Sequence, residues 1–89
     1  MKSKDTNIIV YDAFRFVGTH GVPLELVLSF FKDNGLLIAW DSFVTDALKD
    51  GWKKRTIRAR ASAAIGDVFG EVYLKEWLIR MDKLLESIS

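Results

Sequence analysis

The chain has 89 residues, of which thirteen are Lys or Arg and twelve are Asp or Glu, so its formal net charge is +1. This length suits one domain and is too short for two. Hydrophobic residues make up 49% of the chain and charged residues 28%, a balance that is typical of globular proteins and argues against a disordered chain.

The composition also bears on where the protein works. It has no cysteine, which favours a reducing compartment, because small secreted domains usually depend on disulfide bonds. Residues 1–6 are polar and lack the apolar stretch of a signal peptide. The longest apolar run, residues 36–40, is far shorter than the ~20 residues that a membrane-spanning helix needs. We therefore expect a soluble, cytoplasmic protein with no membrane partner, in which residues 1–6 form a flexible tail and residues 7–89 form one helical domain.

A first helix is predicted over residues 7–17, because Val10, Phe14 and Val17 recur at helical spacing. The next residue is a glycine, which is a natural helix stop. The β-branched residues 8–10 leave a strand open as the alternative for the start of this segment.

A second helix is predicted to begin at Pro23, whose fixed φ suits the first helical position, and to end at residues 33–35. Residues 36–38 are expected to form an apolar link. Asp41 or Ser42 is then expected to cap a third helix, because a short side-chain oxygen accepts a hydrogen bond from a free backbone N–H.

The third helix is predicted to end at Gly51, and a fourth helix is predicted to start near residues 54–56. A fifth helix over residues 71–87 has the most regular amphipathic pattern of the chain. Its long apolar stripe indicates a packed surface helix, with a dimer or partner interface as the alternative. The sequence therefore predicts an all-α fold, a compact bundle of four to five short helices.

The chain offers few residues for catalysis or metal binding. His20 is its only histidine and cysteine is absent, which excludes Cys–His catalysis and the common zinc sites. No serine stands in a nucleophile-elbow pattern. Asp46 and Asp50 are four residues apart and could chelate a cation, but such pairs are more often a solvated face or partners of nearby basic residues. We expect a protein that is not an enzyme and has neither a cofactor nor a metal.

Positive charge is concentrated in residues 53–60, the basic block, which holds five cationic side chains and no acidic one. The rest of the chain has eight cationic and twelve acidic residues, a net charge of −4. Cations at a helix N-terminus oppose the helix dipole, so this arrangement is unfavourable for folding. Together with the free N–H groups of a helix start, it is suited to binding phosphate. The alternative is an exposed helix start neutralised by Asp46, Asp50 and Asp67.

The segment around the basic block resembles the helix-turn-helix motif over about 20 of the 89 residues. Ala47, Gly51 and Ile57 match the small residue of its first helix, its turn glycine and the apolar residue of its second helix. The residue after the glycine is apolar, as the motif requires. The motif usually has a further apolar residue where this chain has Arg60, so the inward face would run through Ala61 instead.

The resemblance implies that the fourth helix is a recognition helix in the major groove of duplex DNA. Its nucleic-acid-binding residues would be the cations of the basic block and one threonine: Lys53, Lys54, Arg55, Thr56, Arg58 and Arg60. The arginines at 55 and 58 are expected to read bases, because arginine can pair with guanine through two hydrogen bonds. The two lysines and the threonine are expected to contact phosphates.

The function predicted from these residues is that of a small, helix-turn-helix-like DNA-binding regulatory protein, for which a homodimer is one possible form. The alternative is a protein–protein interaction module, an adaptor or inhibitor that docks a basic face on an acidic protein surface.

Overall fold

The computed structural model describes residues 8–88, which form two short strands and five helices. In chain order these are β1 (Ile8–Val10), α1 (Phe14–Gly18), α2 (Leu24–Asp33), β2 (Leu36–Ile38), α3 (Trp40–Lys49), α4 (Lys54–Phe69) and α5 (Glu71–Ser87). The predicted all-α bundle is confirmed, with the addition of one small strand pair. None of the helices in this part of the chain is both long and apolar enough to cross a bilayer. The tail predicted at residues 1–6 lies outside the described residues.

The first segment departs most from the sequence prediction of a helix over residues 7–17, because only its last part, α1, is helical, and β1 is the strand that the sequence left open as the alternative. β1 pairs in parallel with β2, and Ile9 lies opposite Leu37. The apolar link predicted at residues 36–38 is thus a strand as well. Three consecutive β-branched residues favour an extended backbone. Their partner strand follows only after α2, so helical spacing within the first segment could not reveal it.

The start of α3 also differs from the prediction. The helix begins at Trp40, so Asp41 and Ser42 lie within its first turn and neither is its N-cap residue, although Asp41 Oδ1 accepts a hydrogen bond from the Ser42 N–H at 2.8 Å. The Ser42 hydroxyl instead donates a hydrogen bond to the carbonyl of Tyr11 at 2.8 Å. This bond ties the start of α3 to the chain that follows β1. Pro23, predicted at the first helical position of α2, lies one residue before that helix.

One apolar core joins the helices, and α4 passes through it. α4 packs mainly against α2 and α5, and it also contacts α3. No polar or charged residue among residues 8–88 is buried. The largest fully buried side chains are Phe43, Val44, Ile57, Ile65 and Met81. Because neighbouring helices cover several sides of α4, a single face of this helix is left to contact a partner.

Candidate nucleic-acid interface

The corner between α3 and α4 is built from the residues that match the helix-turn-helix pattern. Ala47 and Ile57 are buried. Gly51 has a φ of 101°, a positive value that residues with a Cβ atom rarely adopt. Ala61 is fully buried and Arg60 is exposed. The inward face of α4 therefore runs through Ala61, as its sequence predicts. The helix-turn-helix resemblance itself stays a prediction.

Two of the six predicted site residues are engaged with α5. The Arg58 guanidinium donates two hydrogen bonds to Asp82, from Nε at 2.6 Å and from Nη2 at 3.3 Å. Lys54 Nζ donates to the carbonyl oxygens of Leu85, at 2.9 Å, and of Ile88. These carbonyls lie at the negative end of the α5 dipole, where a cation is favourable. The hydrogen bonds of Lys54 and Arg58 thus connect the start of α4 with the end of α5.

Arg60 contacts an aromatic ring within the same segment. Its guanidinium carbon lies 5.0 Å from the ring centroid of Trp52. Trp52 in turn meets Phe14 edge to face, with centroids 5.3 Å apart. A cation–π contact limits the motion of the guanidinium but does not neutralise it. Arg60 therefore remains a surface cation whose position is fixed by the core.

The remaining site residues lie at the very start of α4. Lys53 immediately precedes the helix, and Arg55 is exposed in its first turn, next to the half-buried Thr56. Among residues 8–88, no carboxylate lies within 4.0 Å of Lys53, Arg55 or Arg60. Three of the five cations of the basic block therefore have neither an ion pair nor a hydrogen bond in this part of the chain, whereas Arg58 pairs with a carboxylate and Lys54 donates to two carbonyl oxygens.

The partner of the basic block is not the one that sequence reasoning proposed. Within the described range, none of the three aspartates expected to neutralise it forms an ion pair with it: Asp46, Asp50 and Asp67. Asp82 does so instead, 24 residues after Arg58 on a different helix. No spacing rule along one helix pairs residues that far apart, so the sequence offered no signal for this contact.

The N-terminus of α4 has an unusual charge for this protein. The three other helices of ten or more residues each have an acidic residue in the first turn: Glu25, Asp41 and Glu71. The first turn of α4 has none and carries Lys54 and Arg55 instead, and no side chain in the described chain caps its N–H groups. Free N–H groups and cations both generate positive potential. The start of α4 is therefore suited to attract anions.

The exposed face of α4 combines cations with small side chains. Arg55, Ala59 and Ala63 recur every four residues and are all exposed, so they lie along one face. Two alanines add little bulk beyond the helix backbone. This face, which we call the α4 face, can therefore approach another molecule closely, with unpaired cations at its start and at Arg60 beside it.

The Arg58–Asp82 pair predicts a pH dependence of stability. Its hydrogen bond with Arg58 holds the pKa of the Asp82 carboxyl below its usual range. The folded-state pKa is thus lower than the unfolded-state pKa. The pair therefore stabilises the fold at neutral pH, and this contribution is lost as the pH falls through the lowered pKa.

We expect the Asp82→Asn variant to lose less stability than the parent between neutral and acid pH, as measured by urea unfolding at each pH. Asp67→Asn removes an exposed carboxylate that has no ion pair among residues 8–88, and it serves as the control. If the stability of Asp82→Asn fell with pH as much as that of the parent, the ion pair would make no contribution to the pH dependence of stability.

Neither a cluster of metal ligands nor a buried histidine is found among the described residues. No group of three or more His, Cys, Asp or Glu side chains between residues 8 and 88 is placed to hold a metal ion. His20 is exposed in the turn after α1, with its ring centroid 6.4 Å from that of Phe16. The α4 face and the cations around it are thus the strongest candidate site.

Comparisons with protein-family models, with curated protein sequences and with solved structures find no match to this chain.

Proposed function

We propose that this protein binds duplex DNA through the α4 face. The observation that carries the proposal is the set of three cations, Lys53, Arg55 and Arg60, that form neither an ion pair nor a hydrogen bond among residues 8–88. Lys53 and Arg55 lie at a helix N-terminus that has no acidic residue in its first turn, and Arg60 lies further along the same helix. Phosphate is the anion that such a combination of N–H groups, lysine and arginine binds well.

The shape of the α4 face suits the major groove of DNA. An α-helix with its side chains is about 10–12 Å across, and the major groove is about 12 Å wide. Ala59 and Ala63 keep this face of α4 narrow. Arg55 is the residue in position to read a base, whereas Arg58 is held by Asp82 and acts as a positioning residue. With one base-reading arginine, binding is expected to depend mostly on phosphates and weakly on sequence.

The charge of the rest of the chain also favours the approach of DNA to the basic block. Outside the basic block the net charge is −4, which disfavours the approach of DNA to other surfaces. An acidic protein surface, the alternative that the sequence leaves open, would use the same cations. The two partners are distinguished by comparing the binding of duplex DNA with that of polyglutamate.

Binding is measured as the fluorescence anisotropy of a labelled duplex at increasing NaCl concentrations. If Lys53, Arg55 and Arg60 each neutralise one phosphate, the slope of log affinity against log salt is about −2.7. In the Lys53→Ala/Arg55→Ala variant we expect a slope of about −0.9 and, at low salt, affinity that is weaker by roughly ten-fold or more. Lys75→Ala/Lys83→Ala removes the same charge from exposed positions on α5 and is expected to retain the parent slope.

Two results would contradict the proposal. Absence of any anisotropy change at low salt with micromolar protein would exclude DNA as the partner. An equal loss in both double variants would show that total charge matters and the α4 face does not. If DNA fails to bind but polyglutamate binds in a salt-dependent way that requires Lys53 and Arg55, an acidic protein is the partner.

A further inference from the structure

An apolar groove lies between β2 and α5, and it shares no lining residue with the basic block. Its volume is about 220 Å³. The floor belongs to the core, where Trp77 and Met81 are buried. The rim includes Leu37 and Tyr73, whose exposed fractions are 43% and 45%. The groove is thus open to solvent at its rim and continuous with the core at its base.

The lining of the groove is almost entirely apolar. Of its thirteen residues, eleven are aliphatic or aromatic and one is a methionine, and Arg80 is the only charged one. Arg80 is exposed, and no carboxylate among residues 8–88 lies within 4.0 Å of it, Glu76 one turn earlier included. Small-molecule sites commonly have this composition, an apolar wall with very few polar groups that orient the ligand.

The size of the groove fits a small organic group. Protein interiors contain few voids larger than a water molecule. Apolar cavities of about 150 Å³ engineered into another protein stay dry and bind benzene. A groove of about 220 Å³ with a similar lining can therefore accept an aromatic ring or a short alkyl chain. Its single guanidinium adds a preference for a negative charge at one end.

We propose that this groove binds a small amphipathic monoanion, an alkyl or aromatic carboxylate. The apolar part of the ligand fills the space between β2 and α5, and its carboxylate accepts hydrogen bonds from Arg80. The proposal does not depend on DNA binding, because the α4 face and the groove are built from different side chains.

The chain provides its own reporters for this site. Trp40 and Trp77 both line the groove, with ring centroids 5.1 Å apart, whereas Trp52 lies outside it. We expect octanoate to cause a saturable change in tryptophan fluorescence that persists in the Trp52→Phe variant. Octanol, which lacks the charge, is expected to bind roughly three- to ten-fold more weakly, and octylammonium more weakly still.

Variants of the rim arginine test the role assigned to it. In Arg80→Gln, octanoate is expected to bind no better than octanol, and in Arg80→Lys part of the preference should return. Arg55→Gln removes a cation from the α4 face and is expected to leave octanoate binding unchanged.

Three outcomes would overturn the proposal. One is the absence of saturable binding by any of the three probes. Another is equal binding of all three that Arg80→Gln does not alter, which would make the groove a non-selective apolar surface. The last is a dimer in sedimentation experiments that octanoate does not dissociate while the probe fails to bind, which would show that a second copy covers the groove.

Discussion

Replacement of Phe43 by alanine is expected to lower the free energy of unfolding by about 3–5 kcal/mol. Phe43 is 1% exposed. Its ring meets Phe14 of α1 and Trp40 of α3 edge to face, with centroid distances of 5.3 and 5.2 Å. The substitution removes both aromatic contacts and much buried apolar surface. The surrounding rings are themselves packed on other helices, so they can fill the resulting space only in part.

The prediction is checked by urea unfolding followed by circular dichroism. Phe30→Ala is the matched control, because Phe30 has the same chemistry but is 60% exposed on α2. The Phe30→Ala variant is expected to lose less than about 1 kcal/mol of unfolding free energy. Similar losses in the two variants would mean that Phe43 is not the centre of the core. Phe43→Leu, which retains an apolar side chain, should give an intermediate loss.

The helices whose signals are local could be predicted from the sequence. The observed bounds of α5 are those predicted, because its amphipathic pattern runs without interruption from Glu71 to Ser87. α4 also begins within the predicted range, after the turn that contains Gly51. Each of these elements carries its own periodicity and its own stop residues. Neither requires knowledge of the residues against which the helix packs.

The strand pair could not be predicted in the same way. Residues 8–10 form a strand because residues 36–38 lie beside them, and two helices, α1 and α2, separate the two segments. A three-residue strand has too few residues for alternation to be recognised. The β-branched composition was the only local signal, and the helical spacing of the residues that follow competed with it.

In the basic block, the contacts of single side chains could not be predicted from the sequence either. Its composition gave six candidate residues, but the sequence did not reveal which of them find partners within the chain. Arg58 and Lys54 are engaged by α5, which reaches them only after the chain has turned back. Arg60 and Trp52 are eight residues apart and meet because the corner before α4 folds one toward the other. Hydrogen bonds to α5 thus engage two of the five cations and leave the other three without a hydrogen-bond or ion-pair partner among the described residues.

The second large effect is expected at the junction of α3 and α4. Ile57→Ala should lower the free energy of unfolding by about 2–4 kcal/mol, because Ile57 is 1% exposed and anchors the start of α4 in the core. Arg60→Ala, three residues later, should cost only about 0.5–1 kcal/mol, through loss of the contact with Trp52. Urea unfolding of the two variants compares them directly. A larger loss in Arg60→Ala would mean that the inward face of α4 runs through residue 60.

The same two variants separate folding from the proposed DNA binding. Ile57→Ala removes no charge, so at temperatures where it remains folded its affinity for duplex DNA should show the parent slope against salt. Arg60→Ala should stay folded but lose about 0.9 from that slope, one phosphate contact. If instead Ile57→Ala lost affinity while fully folded and Arg60→Ala retained the parent slope, Arg60 would not be one of the DNA-binding groups. Stability and affinity are thus expected to depend on different residues of α4, the buried Ile57 and the exposed Arg60.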